Sequence, residues 1–123
     1  VRQGMERAGR IDVLVNCAGF GLEGGVEDTT VEEAKLQFEV NLFGTHRMIR
    51  EVLPIMREQR EGRVITISSL AGQVPAIPFQ GFYSMSKKAL DGLTFVLDGP
   101  DGVEVVEHVS ESAVRATLDR FMW

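Results

Sequence analysis

Ile11-Asp12-Val13-Leu14-Val15-Asn16 decides the fold. The run is short, apolar and rich in β-branched side chains, and Gly9 and Gly19 bracket it. A segment of that length and composition is a buried strand rather than a helix, which needs about ten residues or more. Further along, Val64-Ile65-Thr66-Ile67-Ser68 reads the same way. Neither run alternates cleanly between polar and apolar, the pattern of strands covered on both faces in a parallel sheet.

Between the two strands the period changes. Thr30 stands three residues before Glu33, the spacing of a capping box, and so predicts a helix start. Ala34, Phe38, Leu42, Thr45, Ile49 and Val52 then recur every three or four residues and predict one long helix with an apolar stripe. Pro54 is expected to kink or thin that helix near its end, and the polar stretch Arg57 to Gly62 to close it. After the second strand come an expected loop from Ser69 to Gly81, a helix from Phe82 to about Leu97 and a turn at Gly99-Pro100-Asp101-Gly102. Val103 to Val109 is a third candidate strand, and Ser110 to Trp123 a short amphipathic helix. Strand, helix, strand, helix, strand is the order of a parallel α/β sheet with right-handed crossovers. Val1 to Gly9 reads as the end of a helix, so the 123 residues are expected to form a single incomplete domain.

Composition sets the outer bounds. Hydrophobic residues make up 44% and charged residues 25%, the balance of a soluble globular chain. A net charge of −5 with scattered Lys and Arg argues against nucleic acid as a partner. No apolar run approaches the roughly 20 residues of a membrane span, and no leader is evident. The single cysteine, Cys17, excludes an internal disulfide and fits a reducing compartment, so a cytoplasmic address is expected. Cys17 itself is expected to be a small buried hydrophobe. His46 reads as a solvated or capping-type residue, and His108 has no second ligand at metal spacing, so no metal site is expected.

Gly19-Phe20-Gly21-Leu22-Glu23-Gly24 matches G-x-G-x-x-G letter for letter. A dinucleotide fingerprint requires a helix to open on the motif, so that its N–H groups and dipole meet the pyrophosphate. Here the predicted helix begins about six residues later, beyond Glu27 and Asp28, and the match is set aside as a loop.

The chemistry lies elsewhere. Tyr83-Ser84-Met85-Ser86-Lys87 puts the only tyrosine one helical turn from a lysine, on the same face. An ammonium held close favours the phenolate, and the pair is then equipped for general acid–base work on an alcohol or carbonyl. Taken alone, the pair is equally a packed tyrosine with a solvated lysine. Ser68 and Ser69, however, end a buried strand, where ligands bind in open α/β sheets. Asn16 ends the other strand, with small residues after it that let a flat ligand approach the backbone. Asn41 lies inside an apolar helical stretch, where a buried amide is either a structural link or part of a relay.

Asn16-Cys17-Ala18-Gly19, Asn41 with Gly44 three residues on, Ile67-Ser68-Ser69-Leu70-Ala71-Gly72 and Tyr83 to Lys87 together resemble the short-chain dehydrogenase/reductase family, in order and spacing across residues 11 to 97. The resemblance implies the second half of a Rossmann-like, doubly wound parallel sheet and an NAD- or NADP-dependent oxidoreductase that interconverts an alcohol and a carbonyl. It implies Tyr83 as the acid/base, with Lys87 lowering its pKa and holding the nicotinamide ribose. It further implies Ser69 ahead of Ser68 on the substrate oxygen, Asn41 holding a relay water, and Asn16, Ala18 and Gly19 along the adenosine side of the cofactor. Pro78-Phe79-Gln80-Gly81-Phe82 resembles members acting on hydroxysteroids, retinoids and other apolar alcohols, and those apolar residues fit a core equally well. The family's helices also imply a homodimer through the two long helices.

The departures are as plain. The family's opening glycine turn, which grips the pyrophosphate, is expected to lie before Val1. Ser69 and Tyr83 are 14 apart, one more than typical, and His108-Val109-Ser110-Glu111 stands where the family shows Pro-Gly. With that grip missing, this chain is expected to bind cofactor weakly or not at all. The rival reading is a non-catalytic remnant that serves only as a folded association module.

Overall fold

The computed structural model describes residues 1–73, 77–91 and 104–106. The expected helix end is there as α1 (Arg2–Ala8), closed by Gly9 at φ 72, a left-handed cap that glycine adopts without penalty. Strand β1 (Val13–Asn16) and strand β2 (Arg63–Thr66) pair in parallel, Val13 against Arg63 through Asn16 against Thr66. Strand β3 (Glu104–Val106) adds to the far side of β2, giving the parallel order β1-β2-β3. Each strand is shorter than its apolar run, yet single bonds extend the ladder at both ends: Arg63 N to Asp12 O at 2.8 Å and Ile67 N to Asn16 O at 2.9 Å. Val64 and Ile65 are neighbours on β2 pointing to opposite faces, and both are buried, as a strand covered on two sides requires.

The long helix departs from expectation. It opens at Val31 on the Thr30–Glu33 capping box, as predicted, but α2 (Val31–Phe38) passes into a π-helical turn, Glu39–Gly44, before α3 (Thr45–Gln59) resumes. The wider turn carries more residues than an α-turn, so the buried face slips against a 3.6 period. Behind Thr45, Ile49, Val52 and Met56 it aligns Gln37 and Asn41, not Ala34, Phe38 and Leu42, which are only half-buried. Pro54 does not interrupt α3, which runs on to Gln59.

Leu14, Ile49, Val52, Met56 and Val64 form the core between α3 and the sheet, with Ile11 and Leu53 packed against it. Gly62 is obligatory there, since a Cβ would sit 2.4 Å from Met56 Cγ. The Gln59 amide then copies a neighbouring strand: its Oε1 accepts from Ile11 N at 2.9 Å and its Nε2 donates to Ile11 O at 2.8 Å.

The stretch expected as a loop after β2 contains α4 (Leu70–Gln73), and α5 (Gly81–Asp91) follows. α4 lies so close to α5 that a Cβ at Gly72 would come within 3.0 Å of the Lys87 carbonyl carbon. The expected continuation to Leu97, the turn at Gly99–Gly102, the ends of the third strand, His108 and the helix Ser110–Trp123 lie outside the described residues. No helix among the described residues is long and apolar enough to cross a membrane.

Candidate active site

The site gathers where β1 and β2 end and α5 begins. Asn16, buried at the tip of β1, donates from Nδ2 to Thr66 Oγ1 at 3.3 Å and braces the two strand tips together. The chain then leaves the sheet through Cys17, Ala18 and Gly19, all exposed. Cys17 is therefore not the buried hydrophobe expected; it lies beyond the last paired residue of β1, where neither sheet nor helix covers it.

The loop is caught again at Phe20. Asn41 Oδ1 accepts from Phe20 N and Asn41 Nδ2 donates to Phe20 O, both at 3.0 Å. Asn41 Nδ2 also reaches Ser86 Oγ at 3.0 Å, and Ser86 Oγ donates in turn to Tyr83 O at 2.8 Å. Asn41 thus ties the loop to α5. The π-helical turn holds it in place, with Thr45 Oγ1 donating to Asn41 O at 3.1 Å. Such turns widen a helix where a side chain must be aimed out of the regular pattern.

Lys87 enters the same cluster from α5. Only 6% exposed, it donates from Nζ to Ile67 O at 3.1 Å. A Cβ at Gly19 would lie 3.0 Å from Asn41 Oδ1 and 3.5 Å from Lys87 Nζ, so the bare backbone of Gly19 is what lets loop and ammonium meet. The half-buried Tyr83 ring has its centroid 6.0 Å from Lys87 Nζ, as the one-turn spacing predicts.

The two serines part company. Ser68 Oγ donates to Lys87 O at 3.1 Å, which commits its proton to the backbone of α5. Ser69 Oγ accepts from Ala71 N at 3.1 Å, capping α4, and so keeps its own proton available to donate. Asn41, Lys87, Gly19 and Tyr83 are thus brought together, with Ser69 at the start of the helix packed on α5. Asn16 is turned to Thr66, and Ala18 lies on the loop between.

The glycine motif is engaged by the protein itself. Phe20 N is held by Asn41, Gly24 N donates to Phe79 O at 2.8 Å, and the next helix starts only at Val31. Its amides are not gathered toward a phosphate. The residues around Gly19, by contrast, gather an ammonium and a neutral amide beside glycine backbone, a donor set suited to the hydroxyls and polar groups of a nicotinamide cofactor and packed this closely only because no Cβ stands there. Among the described residues no group of three His, Cys, Asp or Glu side chains is placed to hold a metal.

Two contributors escaped the sequence reading. Gln37 is fully buried and donates from Nε2 to Phe20 O at 3.0 Å; the available signal was a polar residue one turn before Asn41. Ser86, inside the Tyr83–Lys87 motif, carries the link from Asn41 to α5.

The family model for short chain dehydrogenases matches residues 1–108. This chain belongs to that family. A 3-ketodihydrosphingosine reductase of Bacteroides thetaiotaomicron is 48% identical over 101 residues, covering 79% of this chain and 37% of the relative. Human retinol dehydrogenase 8 is 40% identical over 84 residues, covering 68% of this chain and 27% of the relative. Among solved structures, a short-chain dehydrogenase from Streptomyces avermitilis superposes with a TM-score of 0.74 at 39% identity, over 85% of this chain and 39% of that one. The protein ElxO with NADP bound shares the fold, with a TM-score of 0.73 at 24% identity over 99% of this chain and 52% of that one. The small parallel sheet is accordingly part of a Rossmann-like α/β domain. The chain spans about a third of the length of the curated relatives it matches, as with the 37% of the Bacteroides reductase.

Proposed function

We propose that the chain carries the catalytic residues of an NAD- or NADP-dependent oxidoreductase that interconverts an alcohol and a carbonyl. The observation that carries this reading is Lys87: a nearly buried ammonium, fixed on Ile67 O, beside Tyr83 on one side and the Gly19 backbone on the other. Ile67 O takes one of its three N–H donors, leaving the others for ribose hydroxyls. Tyr83 gives its proton to the developing alkoxide in reduction and takes it back in oxidation. Ser69 donates to the same oxygen and orients it, its lone pair already anchored by Ala71 N. Asn41 steadies the Gly19–Phe20 loop and holds a relay water by Lys87, while Asn16, Ala18 and Gly19 line the cofactor's adenosine side. When bound, the nicotinamide supplies or accepts the hydride.

An apolar alcohol or its ketone is the favoured substrate class. Leu70, next to Ser69, is 79% exposed and Phe79, four residues before Tyr83, is 71% exposed. These side chains are not core, and the names of the sphingosine and retinol relatives point the same way. A homodimer is part of the proposal: Val31, Leu36, Phe38, Phe43 and Phe82 line an apolar recess of about 940 Å³ along α2 and α5, the two helices expected to pair. The single cysteine supports a cytoplasmic address.

The test is a titration of the folded chain with NADPH and NADH, read by nicotinamide fluorescence. Saturable binding at micromolar concentration supports a working site. Its absence in a chain that circular dichroism shows to be folded favours the association-module reading.

A further inference from the structure

Gln37 has no part in the chemistry above, yet it is 0% exposed on a helix whose other face is open to solvent. A buried side-chain amide is costly unless its bonds are made. Here only the nitrogen end is bonded: Nε2 donates to Phe20 O at 3.0 Å, while Oε1 has no partner among the described residues. The bond it makes is doubled, because Asn41 Nδ2 donates to the same carbonyl at 3.0 Å. Asn41 Nδ2 is itself shared with Ser86 Oγ, so Gln37 is the donor committed to Phe20 alone.

We infer that Gln37 is a positioning residue, which holds the Phe20 peptide down so that the Gly19 backbone faces Lys87. Phe20 lies beyond the last paired residue of β1, and no ladder fixes it. Its backbone is fixed by three side-chain bonds, one to its N–H and two to its carbonyl, on the peptide groups either side of its Cα, all from the α2 rod and its π-helical turn. Gly19 is the adjoining residue, and its backbone has only the room that a missing Cβ leaves beside Asn41 and Lys87. Lifting Phe20 therefore moves the Gly19 backbone, part of the wall along the cofactor's adenosine side, away from Lys87. This consequence for the cofactor rests on the function proposed above; the hold on Phe20 does not.

Amide hydrogen exchange on the wild-type chain comes first. The Phe20 amide, in a loop of exposed residues, exchanges far more slowly than that of Gly21; equal rates overturn the inference. Gln37→Met keeps the length and removes both the donor and the unpartnered acceptor, and Gln37→Asn, a methylene shorter, serves if the first does not fold. In either variant Phe20 exchange rises about tenfold, the worth of one net hydrogen bond, while Val64 and Ile65 in the core keep their protection. The dissociation constant for NADPH or NADH rises by a similar factor. A residue that only supports the fold moves core protection and leaves cofactor binding by the folded protein alone, and that result overturns the inference, as does unchanged Phe20 exchange. If the wild-type chain binds neither cofactor, the proposed function falls, and Phe20 exchange alone still decides whether Gln37 positions the loop.

Discussion

On either side of the π-helical turn, one continuous rod of helix is buried for different reasons. Below it, Ile49, Val52 and Met56 on α3 meet Leu14 and Val64, and nothing but volume and apolarity is asked of them. Within and above it, the same face carries Asn41 and Gln37, equally buried, Gln37 held to the loop and Asn41 to both the loop and α5. Apolar packing tolerates any side chain of suitable shape, whereas a buried amide depends on particular partners at particular positions. The lower half therefore supplies stability and the upper half supplies positions. Mutations should separate the two.

On the function proposed above, the largest separation is expected from Tyr83→Phe: turnover falls about 10²- to 10⁴-fold, the usual contribution of a positioned general acid. The melting temperature stays put, because Tyr83 bonds to its surroundings through its backbone carbonyl, which phenylalanine retains. A joint fall in stability would break the division of labour. Met56→Ala is the mirror case. It should cost about 2–5 kcal/mol in a urea titration and leave cofactor affinity of the folded fraction unchanged.

A smaller effect sharpens the comparison at the start of α2. Thr30 Oγ1 accepts from Glu33 N at 3.2 Å, and Glu33 Oε2 accepts from Thr30 N at 2.9 Å. Bonds to Thr30, side chain first and then backbone, hold the Glu33 carboxyl below its ordinary value. A depressed carboxylate stabilises above its unfolded pKa, and that contribution disappears as pH falls through the lowered folded value. Thr30→Ala should thus cost about 1 kcal/mol at neutral pH, and the gap from wild type should narrow on acidification. The smallest effect is Arg10→Ala. The guanidinium pairs with Asp12 and Glu61, but Arg10 and Glu61 are exposed and Asp12 is only half-buried, and no change beyond the scatter of a thermal melt is expected.

The same division explains what could be read from the sequence. β1, β2 and the capping box follow from local pattern, and so they stood where composition placed them. Tyr83 and Lys87 were legible because helical spacing alone sets their distance. The π-helical turn was not, since apolar periodicity assumes one pitch throughout, and the change of pitch is what turned Gln37 inward in place of Ala34 and Phe38. Exposure of Cys17 was equally hidden: sequence shows a small residue after a buried strand, but not that the chain leaves the sheet at Asn16. The choice of Ser69 over Ser68 gains its support only from the neighbours each hydroxyl meets.

Met56 and Gly62 have a further consequence, in oxidation chemistry. The Met56 thioether is sealed: the residue is 0% exposed, and its sulfur lies only 2.5 Å from where a Gly62 Cβ would stand, so an oxidant does not reach it in the native fold. Met48 and Met85 are 41% and 49% exposed, and peroxide reaches them without any opening. Oxidation of those two marks how much oxidant the protein has met. Oxidation of Met56 marks how often its core has opened, a clock that runs only while the protein is unfolded there.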